Sequence, residues 1–256
     1  MTLAQFVTCA ICLFPLLVCQ ANEEVRLKFD EITFRVYRID PSKEKLLLMW
    51  KDANGAPYHN LIGVQRALEA QGKTIQFITN AGIYEKSPGI NQAYQPEGLH
   101  VEEGKALIPL NTDSGKGNFY LQPNGVFYID GKGKAHVQTT KRYARNLERP
   151  RLACQSGPVL VSDGKIHRML NPAGTSKRLR NGVGVTKDGT IVFAICASGQ
   201  VVNFHTFARL FRDQLECPNA LFLDGDICKM AVDPGDSAVD PSGVFAAMFV
   251  VVKGGQ

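Results

Sequence analysis

Short apolar runs bounded by turn-forming residues constrain the fold of this chain more than any other feature. They fall at 45–50, 75–79, 158–161, 190–195, 220–223 and 244–252. Apolar runs of this length between turn signals are typical of buried strands. Residues 32–37 instead alternate apolar and polar side chains, as a half-buried strand does. No internal repeat of fixed period accompanies these runs, so the sequence predicts one strand-rich globular fold.

Two segments predict helices. Asn60 is placed to cap the first, Gly72 ends it, and one face is apolar (Leu61, Val64 and Leu68). The second extends from about His205 to Leu215 and carries an apolar stripe (Phe204, Phe207, Phe211 and Leu215). Residues 111–133 are rich in Gly, Asn and Asp, which is typical of hairpins and turns. We therefore expect an α+β fold of twisted mixed β-sheets flanked by a few helices, in a single domain over residues 22–256.

Composition excludes several classes of protein. The chain has 256 residues, of which 45% are hydrophobic and 21% charged, so a disordered or fibrous protein is excluded. The net charge is +5, and the densest basic run is Lys177-Arg178-Leu179-Arg180. Nucleic-acid-binding domains concentrate more basic residues than this on one surface. No nucleic-acid partner is expected.

The N-terminal residues 1–21 contain no charged side chain, and Phe6 to Cys19 is almost entirely apolar. The run is shorter than the roughly 20 apolar residues that cross a bilayer, and it suits the apolar region of a secretory signal peptide. A lipoprotein signal with Cys19 lipidated and a retained membrane anchor are the alternatives. We expect residues 1–21 to be a signal peptide and the mature protein to be periplasmic or secreted, with no stable membrane span.

Four cysteines remain after residue 21: Cys154, Cys196, Cys217 and Cys228. In an oxidising compartment they allow three complete pairings, and the loop between Cys217 and Cys228 is the shortest to close. Disulfides are therefore expected. Without a C-x-x-C motif in this part of the chain, a structural zinc site is not.

Four segments combine an apolar run with polar residues and glycine, and they carry the candidate site. They are 77–82, 154–158, 180–184 and 222–226. Glycines at strand ends let the backbone approach a ligand closely, and exposed N–H groups together with an arginine bind anions. Ordinary turns give similar patterns. A hydrolase with a cysteine nucleophile is a further alternative, although a disulfide is the more usual state of an exported cysteine.

Asp224 and Asp226 form a carboxylate pair two residues apart in the last of these segments. Such residues lie on the same side of an extended chain, within the roughly 5–10 Å that separates the two carboxyl groups of glycosidases. Asp-Gly-Asp is also a common turn sequence. The same oxygen-rich pair would suit a divalent cation, calcium or magnesium.

At these segments the chain resembles the phosphodiester glycosidase family, and within it an exported bacterial branch of unknown function. The resemblance covers about residues 75–230 and keeps the order of the motifs. They are Ile78-Thr79-Asn80-Ala81-Gly82-Ile83-Tyr84, 97–104, 117–119, 123–127, 155–161, Arg180-Asn181-Gly182-Val183-Gly184 and Asn219 to Asp224-Gly225. The resemblance implies hydrolysis of a sugar-1-phosphodiester at its glycosidic bond.

Carried onto this chain, the resemblance gives roles to particular residues. Asp224 would act as base, nucleophile or stabiliser of the sugar cation, and Arg180 would neutralise the phosphate. The expected substrate-binding residues are Asn80, Gly82, Gln155, Ser156, Asn181, Gly225, Asp226 and Cys228. Two of these depart from the family pattern, because Asp226 replaces a glycine and Cys228 replaces a serine. Glu97 is a candidate second carboxylate, with an ordinary solvated loop residue as the alternative.

The sequence thus predicts an exported hydrolase that acts on a glycan or small-molecule phosphodiester. The alternative is a non-catalytic envelope protein that binds anionic or phosphorylated glycans.

Overall fold

The computed structural model describes residues 23–86, 94–145, 149–234 and 240–254. Within these ranges the chain forms 18 strands and three α-helices in a single domain, which confirms the predicted α+β class. All strand pairs in the described ranges are antiparallel, in place of the mixed sheets that the sequence suggested. The predicted signal peptide, residues 1–21, lies outside the described residues.

A seven-stranded sheet forms the centre of the molecule. Its order is β1 (Glu24–Phe29), β2 (Ile32–Ile39), β15 (Ile191–Cys196), β14 (Arg180–Val185), β16 (Asn219–Gly225), β12 (Val159–Ser162) and β13 (Lys165–Ile166). β14 and β16 are central strands, and their side chains are buried on both faces for most of their length. The near-continuous apolar run in β15 is explained in the same way.

Three smaller sheets surround the central one. The five-stranded sheet has the order β10 (Ala135–Thr139), β9 (Gly125–Ile129), β11 (Leu152–Ser156), β7 (His100–Glu102) and β8 (Lys105–Ile108). The four-stranded sheet has the order β17 (Met230–Val232), β4 (Ile75–Asn80), β18 (Met248–Val252) and β3 (Leu46–Met49). β5 (Tyr84–Lys86) and β6 (Tyr94–Pro96) form a two-stranded sheet.

Both predicted helices are present. The side chain of Asn60 accepts a hydrogen bond from the Gly63 N–H and caps α1 (Leu61–Glu69). Asn203 caps α3 (Phe204–Arg209) in the same way, and a π-helical turn, Leu210–Gln214, continues it. A third, one-turn helix is α2 (Thr140–Tyr143). In the described part of the chain, no helix has the length and apolar character needed to span a membrane.

The two faces of the seven-stranded sheet bury separate apolar clusters. One cluster joins all three large sheets through aromatic contacts, with ring centroids 4.5 Å apart for Tyr37 and Phe77 and 5.5 Å apart for Phe127 and Phe249. The other lies under α3 and contains the predicted stripe of Phe207, Phe211 and Leu215. Packing on both faces fixes the strand register and hence the residues at the sheet ends.

The expected disulfides are not present. Cys154, Cys196, Cys217 and Cys228 are all buried thiols without a bridge. The shortest pairing, Cys217 with Cys228, is prevented by the sheet itself. Cys217 packs in the cluster under α3, whereas Cys228 packs in the cluster on the opposite face. A short loop in sequence therefore does not bring the two sulfur atoms together.

Candidate active site

A cavity of about 430 Å³ lies at the end of the central sheet where β14 begins and β16 ends. Asn118, Ser176, Arg178, Arg180, Phe204, Asp224, Gly225, Asp226 and Ile227 line it. Wider surface hollows of about 570 Å³ occur elsewhere. In one of these, Arg212 is already hydrogen-bonded to the neighbouring Asp213 (2.6 Å). The smaller cavity is the one in which the predicted arginine and aspartates meet.

A bulge in β16 positions Asp224. Gly182 lies opposite Phe222, whereas the preceding Asn181 lies opposite Asp224, so that Leu223 is an extra residue on β16. Bulges of this kind redirect side chains and are common beside active sites. Here the carbonyl of Leu223 accepts a hydrogen bond from the Ser156 hydroxyl at 2.9 Å. Ser156 therefore stabilises the bulge that precedes Asp224.

Both carboxylate oxygens of Asp224 accept hydrogen bonds from the protein. Oδ1 accepts from the Gly225 N–H at 2.8 Å, and Oδ2 accepts from Asn80 Nδ2 at 3.1 Å. Burial, together with the nearby charge of Asp226, nevertheless raises the pKa of Asp224 to about 7. A carboxyl group with this pKa can gain or lose a proton near neutral pH, which general acid–base chemistry requires.

Asn80 and Asn181 hold Asp224 in place, and neither side chain is open to solvent. Asn181 Oδ1 accepts from the backbone N–H of Asp224 at 2.8 Å, and Asn181 Nδ2 donates to Asn80 Oδ1 at 3.2 Å. Asn80 Oδ1 also accepts from the Lys229 N–H at 2.9 Å. With its oxygen engaged twice, Asn80 can only turn its amide nitrogen towards Asp224. The hydrogen bonds between Asn181 and Asn80 thus keep the Asn80 amide nitrogen directed at the Asp224 carboxylate.

Arg180 is an almost completely buried arginine, with 1% of its surface exposed. Its Nε donates to the Val202 carbonyl at 2.9 Å and its Nη2 to the Ser176 carbonyl at 3.3 Å. The guanidinium lies 3.5 Å above the ring of Phe204. Burial lowers the pKa of Arg180 to about 10, so it remains charged at neutral pH.

No carboxylate in the described ranges forms a salt bridge with Arg180, and its Nη1 makes no hydrogen bond within them. A buried positive charge is costly unless an anion compensates it. Because Arg180 lines the cavity, its position favours an anionic ligand there.

Arg178 and Asp226 form an exposed ion pair at the cavity mouth. Arg178 Nη1 lies 3.4 Å from Asp226 Oδ2, and about 60% of each side chain is accessible. Asp226 has a φ of +22°, a left-handed backbone conformation that is unusual for a residue with a Cβ atom. The Asp226 N–H donates to the Leu179 carbonyl at 3.1 Å, which ties this turn to the start of β14.

The amide of Gln155 is fully occupied by other parts of the protein. Its Oε1 accepts from the N–H groups of Leu99 and Asn111, both at 2.9 Å, and its Nε2 donates to the Asn111 carbonyl at 2.7 Å. A fourth bond joins Nε2 to the Thr140 hydroxyl at 3.2 Å. Gln155 therefore lies outside the cavity lining. It belongs to the hydrogen-bonded residues that support the site from behind, which we call the frame.

Gly82 also belongs to this frame. A Cβ atom there would lie 2.8 Å from the Gln155 carbonyl oxygen and 2.9 Å from the Cys154 sulfur. Only glycine permits such a close approach to β11. The next residue, Ile83, donates its N–H to the Ser156 hydroxyl at 3.3 Å.

Gly225 and Cys228 form a tight turn below Asp226. The Cys228 N–H donates to the Gly225 carbonyl at 3.0 Å, and the Cys228 side chain is buried. Burial raises the pKa of the Cys228 thiol, and the nearby Asp224 charge raises it further. A thiol in this state is protonated at neutral pH and is a poor nucleophile.

Glu97 lies outside the cavity lining, in a half-buried position where its side chain is hydrogen-bonded to Tyr120. Burial raises the pKa of its carboxyl group. Phe204, Ser176 and Asn118 line the cavity, although no pattern in the sequence marked them as site residues. Arg178 was also not predicted as a site residue; its position two residues before Arg180, on the same side of an extended chain, is the signal that could have identified it.

The described residues contain no group of three or more His, Cys, Asp or Glu side chains placed to hold a metal ion. The predicted carboxylate pair, Asp224 and Asp226, supplies two side chains of this type. The first accepts two N–H bonds and the second pairs with Arg178.

Comparison with known proteins identifies the family. Residues 73–230 match the model of the phosphodiester glycosidase family, and this region contains every residue of the predicted site. The chain belongs to the phosphodiester glycosidase family. It is 34% identical over 226 residues to the uncharacterised protein YigE of Escherichia coli strain K12, covering 88% of this chain and 84% of that one.

Solved structures of other proteins share the fold. The catalytic domain of zebrafish N-acetylglucosamine-1-phosphodiester alpha-N-acetylglucosaminidase, auto-inhibited by its pro-peptide, superimposes with a TM-score of 0.59 at 15% identity, covering 90% of this chain and 81% of that one. A Burkholderia pseudomallei protein described as a candidate exported protein gives 0.57 at 12% identity, with coverage of 86% and 74%. A hypothetical protein from Synechocystis gives 0.53 at 13% identity, with coverage of 90% and 61%.

Proposed function

We propose that this protein hydrolyses a glycosyl phosphodiester at the bond between the anomeric carbon of the sugar and the phosphate oxygen. The observation that carries the proposal is the pairing, in one cavity, of a buried arginine without a carboxylate partner and a carboxyl group with a pKa of about 7. The first suits a phosphodiester anion and the second suits proton transfer. Family membership and the fold of the zebrafish glycosidase support the same chemistry.

In the proposed reaction, Arg180 binds the phosphodiester anion. The anomeric C–O bond breaks, and its electron pair goes to the phosphate oxygen, where the guanidinium charge stabilises it. A phosphomonoester is a good leaving group, so strong protonation by a second carboxyl group is not required.

Asp224 acts on the other side of the bond in this scheme. As a carboxylate it accepts a proton from water while the water oxygen bonds to the anomeric carbon. Asp224 then releases this proton to solvent, and the products are free sugar and a phosphomonoester. Asn80 and Asn181 act as positioning residues because their hydrogen bonds hold the carboxylate.

Product release from sugar-1-phosphodiesters tests this proposal. Wild type and Asp224→Asn are incubated with UDP-N-acetylglucosamine and with simple alkyl diesters of N-acetylglucosamine 1-phosphate, and free sugar is quantified. We expect sugar from wild type only, with the variant shown to be folded by circular dichroism. Equal release by both proteins would remove Asp224 from the reaction. Binding of the diesters without turnover would instead favour a glycan-binding envelope protein.

We also propose that the protein acts outside the cytoplasm, with residues 1–21 as its signal peptide. The uncharged apolar N-terminus supports this, as does the fold of the Burkholderia protein described as a candidate exported protein. N-terminal sequencing of the protein recovered from the periplasm or medium should give a chain that begins near residue 22. Recovery from the cytoplasm with an intact N-terminus would contradict the proposal.

A further inference from the structure

The Arg178–Asp226 ion pair at the cavity mouth has no role in the proposed reaction. Resting on the proposed function, we propose that Asp226 is a specificity-determining residue that makes the site select phosphodiesters, which carry one negative charge, over phosphomonoesters, which carry two.

The charged side chains around the cavity compensate one another unequally. Two guanidinium groups line it, Arg178 and Arg180. Asp226 Oδ2 lies 3.4 Å from Arg178 and compensates its charge, whereas Arg180 feels the charge of Asp226 at longer range and forms no salt bridge with a carboxylate in the described ranges. Asp224 also lines the cavity, but its carboxyl group is assigned to the water molecule in the proposed reaction; apart from it, the guanidinium of Arg180 is left to match the single charge of a phosphodiester. A second ligand charge would need Arg178, which Asp226 already occupies.

Asp226 also stands exposed at the cavity mouth. Its carboxylate is 60% accessible, whereas Asp224 is partly buried in the same cavity. A dianionic phosphate bound at Arg180 would therefore meet Asp226 as a repulsive charge. The backbone supports a specific role, because Asp226 is held at a φ of +22° by the hydrogen bond of its N–H to Leu179.

The same arrangement assists product release. Hydrolysis converts a diester with one negative charge into a phosphomonoester, which carries close to two above its second pKa of about 6. The gained charge faces Asp226. Product is therefore expelled by the repulsion that also rejects monoester ligands at the start of the cycle.

The test uses two ligands that differ by one charge: N-acetylglucosamine 1-phosphate and its methyl diester. Binding is measured by calorimetry at pH 7.5 in an Asp224→Asn background, which prevents turnover, with and without Asp226→Asn. Asparagine keeps the shape of aspartate and tolerates the left-handed backbone conformation. We expect Asp226→Asn to tighten monoester binding about threefold to tenfold and diester binding by about the square root of that factor, roughly twofold to threefold, because the repulsion scales with the charge of the ligand.

Asp163→Asn in the same background is the matched control. Asp163 also has a positive φ (+49°), and its carboxylate lies 3.4 Å from Arg142 in an ion pair of similar exposure. We expect this variant to leave the affinities for both ligands unchanged. At pH 5 the monoester carries one charge, and the difference between Asp226→Asn and its parent should then decrease.

Equal changes for the two ligands, an unchanged monoester affinity, or the absence of binding to either ligand at millimolar concentration would overturn the proposal. Turnover by the wild type is assayed separately. Selectivity without turnover would reject the proposed reaction and retain the charge discrimination, whereas turnover with no change in selectivity would reject the role of Asp226 alone.

Discussion

Two polar regions of this protein look alike in sequence and differ in structure. The Asp224 region (Asn80, Asn181 and Asp224) and the Gln155 region (Gln155 and Ser156) both place polar residues beside glycine at a strand end. The two regions differ in the partners of their hydrogen bonds. Gln155 and Ser156 bond entirely to other parts of the protein, whereas the Asp224 region converges on a carboxyl group that lines a cavity. A buried polar residue therefore indicates function only after its partners are known.

The largest difference between the regions is expected in catalysis. Asp224→Asn should lower kcat on a sugar-1-phosphodiester by about 10³-fold, because general acid–base catalysis contributes about 10²–10⁴-fold. Gln155→Met is the matched variant from the other region. Its kcat per folded molecule should stay within about threefold of the wild-type value. Steady-state sugar release measures both. The comparison fails if the two variants lose similar activity per folded molecule.

The next effect distinguishes two arginines. Arg180→Lys should lower kcat/KM by about 10²-fold, since an ammonium group cannot reproduce the stacked guanidinium with its two backbone hydrogen bonds. Arg151→Lys is the control, because Arg151 also donates to a backbone carbonyl, that of Leu46 at 3.1 Å, but lies outside the cavity lining. Comparable losses in both variants would show that the loss arises from general destabilisation.

For the Gln155 region, the expected effect is on stability. Gln155→Met leaves the N–H groups of Leu99 and Asn111 and the Asn111 carbonyl without their partner. Buried unsatisfied groups cost about 1–3 kcal/mol each, partly recovered by relaxation, so we expect a loss of about 2–4 kcal/mol in the free energy of unfolding. Urea denaturation measures this loss, with the exposed Gln71→Met as control. A loss below about 1 kcal/mol would contradict the assignment of Gln155 to the frame.

A smaller effect reports the positioning role of Asn80. Asn80→Ala removes the donor to Asp224 Oδ2 and so disfavours the charged carboxylate. The activity of wild type should rise with pH through a midpoint of about 7, and the variant should have a midpoint about one pH unit higher. A pH–rate profile checks this. Reduced activity with an unmoved midpoint would show that Asn80 acts only through the fold.

The last effect is the pH dependence of stability, which is spread over the range from about pH 4 to 7 and is small between neighbouring pH values. The pKa of Asp224 is raised in the folded state, so between about pH 4 and 7 the folded protein binds more protons than the unfolded chain. Its contribution therefore destabilises the fold as pH rises, by up to about 1.4 kcal/mol per pH unit. Asp224→Asn should remove this contribution, as measured by urea denaturation at several pH values. Identical slopes for variant and wild type would contradict the raised pKa.

Local patterns in the sequence were sufficient to predict much of the fold. The cap at Asn60, the apolar stripe of the second helix and the buried strands follow from spacing and turn chemistry, and the structure confirms them. The expected disulfides are not present, and the pair with the shortest loop, Cys217 and Cys228, is separated because the two cysteines lie on opposite faces of the sheet. Sequence distance between Cys217 and Cys228 carried no information on that.

For the site, the sequence identified Asp224 and Arg180 as candidates, and the structure brings both into one cavity. It did not separate the polar residues that face the cavity from those that support it, since Gln155 and Ser156 reach their partners across 56 and 67 positions of the chain. Phe204 was assigned to the core as part of a helical stripe. Its contact with Arg180 becomes visible only when α3 is packed on the sheet.

Locating the bond that is broken, by oxygen-18 labelling, tests the central claim most directly. Wild-type protein is incubated with methyl N-acetylglucosamine 1-phosphodiester in water enriched in oxygen-18, and the sugar and phosphate products are analysed by mass spectrometry. Attack at the anomeric carbon predicts the label in the 1-hydroxyl of the released sugar and none in the phosphomonoester, beyond the slow exchange of free sugar measured in parallel. Label in the phosphate product would show cleavage of the P–O bond and would contradict the account.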